Sequence, residues 1–173
     1  MTFRTLAALA ACLLFLTASP QPLTAVGVAP WPPPNILGRW VGEGKLGFRE
    51  GKFETVKCRV TYFAAEGASL EQTNLKLFSL KQYVRCATPG ANIDVRSVIT
   101  DSNGALSGTW EETVYNLKGG IAGERTAKGF RVKVKSDDLS ANMDLMLDND
   151  MQVIEIQFHN STLLGLSIIL IKG

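Results

Sequence analysis

Over Gly129–Lys135 apolar and charged side chains alternate: Phe130, Val132 and Val134 fall on one side, Arg131, Lys133 and Lys135 on the other. A period of two sends one face to a core and the other to water, so a β-strand is predicted. Ala141, Met143, Leu145 and Leu147 repeat the pattern across Ser140, Asn142 and Asp144, with Met146 as an apolar residue on the polar face. Strands are also predicted over residues 37–48, 52–63, 93–100, 105–115, 151–159 and 163–172, with at least one more within 76–87 and a loop at 64–69. No stretch of ten residues carries a helical period. Residues 161–171 are the most apolar part of the chain after its opening segment, and near their end both faces are apolar. Such a strand is expected to be a two-sided core strand or to have its outer face covered by another element or a partner.

Turn residues punctuate these runs at the spacing of a meander. Asp101-Ser102-Asn103-Gly104 puts Asn-Gly between two strands, and Asp148-Asn149-Asp150 separates two more; both are hairpin signals. Lys118-Gly119-Gly120 and Ala127-Lys128-Gly129 are predicted as two further turns. Connections this short favour antiparallel neighbours. The expected fold is therefore all-β: a single antiparallel up-and-down barrel of about eight to ten strands, closed because closure removes exposed sheet edges.

Residues 1–25 follow a different rule. Arg4 is the sole charge before Arg39, and an apolar run over residues 6–16 follows it, the n-region and h-region of a secretory signal. Eleven residues are too few to span a bilayer, which takes roughly 20. Cleavage is expected after Ala25, with Ala18 as the alternative. Leu9-Ala10-Ala11-Cys12 resembles a bacterial lipobox, which would anchor the chain to a membrane by lipid at Cys12. The apolar Leu13-Leu14-Phe15-Leu16 that follows argues against it, because cutting there would strand an apolar run in the mature protein. Residues 26–36 hold Pro30, Pro32, Pro33 and Pro34, which favour polyproline II; they are expected to be a semi-rigid lead-in with Trp31 on the domain surface. Residues 37–173 form the barrel domain.

Export changes how composition and cysteines are understood. The mature chain keeps 17 of the 18 basic residues against 16 acidic ones, with the signs interspersed, so nothing favours nucleic acid as a partner. No transmembrane segment remains after cleavage. Losing Cys12 leaves Cys58 and Cys86, separated by 27 residues, and in an oxidising compartment such a pair reads as a structural disulfide. No C-x-x-C motif or nearby His offers a redox or zinc alternative.

Catalytic and metal signals are weak throughout. His159 is the single histidine and no motif supplies a matching Ser and Asp. Glu111 and Glu112 point to opposite faces of a strand and cannot act as a dyad. Asp137-Asp138 and Asp148-Asn149-Asp150 lack EF-hand spacing, and Gly119-Gly120-Ile121-Ala122-Gly123 lacks the Lys and Ser/Thr of a phosphate loop. No catalytic residue, metal ligand or cofactor is assigned, and the protein is expected not to be an enzyme.

Gly38-Arg39-Trp40 at the head of the first strand resembles the G-x-W opening of lipocalins and related calycin barrels, and Gly108-Thr109-Trp110 repeats the triplet. The resemblance implies a calycin-like barrel with the Trp packed across its closed end. Four segments together, Gly38-Arg39-Trp40-Val41-Gly42, Cys58-Arg59-Val60-Thr61-Tyr62, Val84-Arg85-Cys86-Ala87 and Ser107-Gly108-Thr109-Trp110-Glu111-Glu112-Thr113, resemble small exported proteins of alphaproteobacteria. That resemblance implies a periplasmic location and no particular activity.

The expected function is non-catalytic binding of a small apolar ligand inside the barrel, with Trp40, Trp110, Phe130, Leu145 and Ile156 as lining or core. The alternative is an envelope protein-interaction module, such as a protease or lysozyme inhibitor. A carrier should contain a cavity; an inhibitor should have a filled core and an exposed insertion.

Overall fold

The computed structural model describes residues 31–33, 35–65 and 77–173. The expected signal sequence, both expected cleavage positions and Cys12 lie outside the described residues, as do residues 66–69 of the loop expected at 64–69, whose first residue, Ala64, belongs to a strand. Among the described residues there are ten strands and no helix. They are β1 (Gly38–Phe48), β2 (Phe53–Ala64), β3 (Leu77–Ala87), β4 (Asn92–Ser102), β5 (Ala105–Glu112), β6 (Leu117–Thr126), β7 (Gly129–Lys135), β8 (Ser140–Asp148), β9 (Met151–His159) and β10 (Leu163–Lys172).

Each strand pairs antiparallel with the next, and β10 returns to pair with β1, so the sheet closes into an up-and-down barrel without an open edge. Asn103 and Gly104 both take positive φ in the β4–β5 turn, as does Asn149 between β8 and β9. This is the left-handed backbone that hairpin turns require and that Asn and Gly adopt most readily.

Two expectations about glycine and surface are corrected. Lys118-Gly119-Gly120 is not a turn but the interior of β6; the turn lies before it, at residues 113–116. Gly119 faces inward, where an added Cβ would sit 1.9 Å from the Lys135 carbonyl oxygen and 2.9 Å from Trp110 Nε1. The glycine is there for close approach, not for a reversal. The outer face of β10 is not covered by any described residue: Ile169 and Ile171 are exposed beside Val41 of β1 and Met151 of β9.

The barrel interior divides into two halves. At the end where β1 begins, Trp40, Phe130, Leu145, Leu80, Ile99 and Leu170 are fully or almost fully buried. The Pro-rich segment closes this end rather than merely leading into it. Ile36 is completely buried, its carbonyl oxygen accepts a hydrogen bond from Trp40 Nε1 at 2.8 Å, and Trp31 packs edge-on against Phe130 with ring centroids 5.6 Å apart. Trp31 is therefore half-buried rather than a surface residue, because the apolar rings at the barrel mouth would otherwise face water.

Candidate ligand-binding site

The other half of the barrel is hollow. A cavity of about 260 Å³ extends from mid-barrel to the end where the β5–β6 and β7–β8 loops lie, with Tyr115, Leu139 and Leu163 near its mouth. Its walls follow from strand alternation. Every second residue of β3, β4 and β8 points inward, which brings Val84, Val95 and Met143 to the same space. Going deeper, β3 contributes Cys86, Val84 and Gln82 to the lining, after which Leu80 is buried in the filled half; β4 contributes Ile93, Val95 and Ser97, after which Ile99 is buried.

The boundary between the halves is polar. Tyr62, Gln82, Ser97 and Trp110 are successive cross-strand partners on β2, β3, β4 and β5. Ser97 Oγ donates to Gln82 Oε1 at 3.0 Å, Gln82 Nε2 donates to the Tyr62 hydroxyl at 3.4 Å, and Tyr62 donates across the barrel to Gln152 Oε1 at 3.0 Å. Burial outweighs these two hydrogen bonds and pushes the Tyr62 hydroxyl well above the usual tyrosine range.

One carboxylate lines the cavity, and its oxygens are committed. Glu112 Oε1 accepts from the backbone N–H of Asp94 at 2.9 Å and of Val114 at 3.1 Å, while Oε2 accepts from Tyr115 N–H at 2.6 Å. It fixes the β5–β6 loop at the mouth. Its neighbour Glu111 points outward, as alternation predicts. His159 is exposed, and no group of three or more metal-ligating side chains exists among the described residues.

The five residues expected to line or fill the interior separate between the halves. Trp110 and Ile156 line the cavity. Trp40, Phe130 and Leu145 pack in the filled half. Gln82, Ser97, Glu112 and Tyr62 were missed as site residues, although each shows one signal: it stands in the apolar register of its strand, as Gln82 does between Leu80 and Val84. Cys58 and Cys86 are bonded to each other as directly opposed residues of β2 and β3. Arg59 and Arg85 point outward, and Arg85 pairs with Asp94 at 2.9 Å.

The class defined by this geometry is a closed, ten-stranded, calycin-like barrel with an internal cavity. No family model matches the chain, and no curated protein matches it in sequence. In structure it is similar to an S-type phycobiliprotein lyase, CPES, from Guillardia theta, with a TM-score of 0.54 and 11% identity over 80% of this chain and 88% of that one. At that identity the likeness shows the fold.

The lyase corrects one expectation. Its fold carries an enzyme, so the lack of a catalytic motif does not make this chain a non-enzyme. A barrel assembles its interior from residues on different strands, and such a constellation leaves no linear motif.

Proposed function

We propose that this protein binds a small, largely apolar ligand in the hollow half of its barrel. The cavity carries the reading. Side chains that line unfilled volume forgo packing contacts, a cost in stability that a filled interior avoids. A core selected for stability alone would be filled, as the opposite half is. The volume lies just under the roughly 300–1,000 Å³ of sites for drug-sized ligands, so the occupant is small. The similarity in fold to a phycobiliprotein lyase is compatible with a barrel that takes a ligand.

The likeness to small exported alphaproteobacterial proteins, the apolar opening segment and the Cys58–Cys86 bond support a periplasmic location. Among the described residues, no helix is long and apolar enough to cross a membrane.

Titration with the neutral fluorophore 1-aminoanthracene tests the cavity. Saturable binding is expected, and Ala141→Phe, which fills the space from β8, should weaken it at least tenfold. Binding indifferent to that substitution in a folded variant would overturn the proposal. Native mass spectrometry of protein from its own cells should show a retained small molecule.

A second reading, an interaction module, is favoured by the exposed apolar residues on β1, β9 and β10. Its mark would be a co-purifying protein held by the unmodified chain and lost on Ile169→Lys.

A further inference from the structure

The floor of the cavity is more specific than its walls. Gln82 and Ser97 are the innermost lining residues of β3 and β4, and both are more than nine-tenths buried. An amide nitrogen has two hydrogens and a hydroxyl oxygen has two lone pairs. The hydrogen bond to Tyr62 uses one Gln82 hydrogen, and Ser97 Oγ spends its own hydrogen on Gln82 Oε1. One Gln82 amide hydrogen and the Ser97 oxygen therefore remain at the inner end of the chamber, beside Trp110, the cross-strand partner of Ser97, whose Nε1 is buried without a hydrogen-bond partner among the described residues.

No lining residue can neutralise an anionic ligand group. Among the described residues the lining contains no Lys or Arg and one carboxylate, Glu112, which accepts three backbone N–H groups near the mouth. An unpaired charge carried to that depth would cost several kcal/mol. A neutral group that both donates and accepts matches the pair on the floor.

Building on the cavity reading, we infer that the ligand has an apolar body with a single neutral hydroxyl, or an equivalent donor-acceptor group, at its inner end, held by Gln82 and Ser97. The body extends toward Tyr115 and Leu163 at the mouth.

Isosteric probes test this by calorimetry: 2-naphthol, 2-methylnaphthalene and the anion 2-naphthoate. Ser97→Ala, which leaves the rest of the chain of hydrogen bonds in place, and Gln82→Leu should each weaken 2-naphthol by about three- to tenfold, the range set by one net hydrogen bond. Both should leave 2-methylnaphthalene within twofold. In the unmodified protein, 2-naphthoate should bind at least tenfold more weakly than 2-naphthol, and the Gln82 side-chain amide resonances should shift with 2-naphthol but not with 2-methylnaphthalene.

If Ser97→Ala changes both neutral probes alike, or neither, or if 2-naphthoate binds as well as 2-naphthol, the inference is overturned while the cavity reading stands. If none of the probes, nor 1-aminoanthracene, binds the unmodified protein, both are overturned.

Discussion

Tyr62 stands where the hollow and filled halves meet, accepting from Gln82 and donating to Gln152 in a fully buried setting. Removing its hydroxyl leaves Gln152 Oε1 without that partner, so Tyr62→Phe should lower stability by about 1–3 kcal/mol in urea unfolding. Burial raises its folded pKa, which sets the sign of its pH effect. Below the ordinary tyrosine pKa of about 10 the group is protonated folded or unfolded, and it contributes no slope. Above it the unfolded chain loses the proton that the folded one keeps, so stability falls as pH rises toward the folded value. Tyr62→Phe should flatten the decline between about pH 10 and 11; an unchanged slope would mean that other groups govern it. Alternation placed Tyr62, Gln82 and Ser97 on the inner faces, but which polar atoms meet depends on the strand registers.

At the scale of elements, β2 and β3 are joined twice, by their ladder and by the Cys58–Cys86 bond between directly opposed residues. Replacing both cysteines with Ala should cost about 3–4 kcal/mol on the chain-entropy model, measured under oxidising conditions; unchanged unfolding would contradict a stabilising bond. β6 depends on close approach instead. Gly119→Val would drive a side chain into the Lys135 carbonyl and the Trp110 indole, at an expected cost of about 2–3 kcal/mol or more for overpacking against backbone, visible as a lower Tm by circular dichroism. The two-glycine run misled the turn reading because glycine marks both reversals and close contacts, and only the partner strand tells them apart.

For the whole molecule, the decisive feature is the difference between its two ends. Trp31 and Ile36 seal one, while the other opens on the cavity. Ile36→Ala should destabilise the barrel by about 2–4 kcal/mol yet leave 1-aminoanthracene binding within twofold, because the plug and the cavity occupy opposite halves. Equal losses in stability and binding would show the halves to be one cooperative unit.

Fold class, most strands and most of the predicted turns follow from local chemistry: a period of two, turn residues such as Asn103-Gly104 between the runs, and two cysteines within predicted strands. Those features act over a few residues and survive in a linear reading. The register of β10 on β1, the plug at one end, the hollow at the other and the polar floor between them came only from tertiary structure. They depend on which residues of distant strands share a register and on how much volume the inward side chains leave unfilled, and a volume enclosed by ten strands is a property of no single segment.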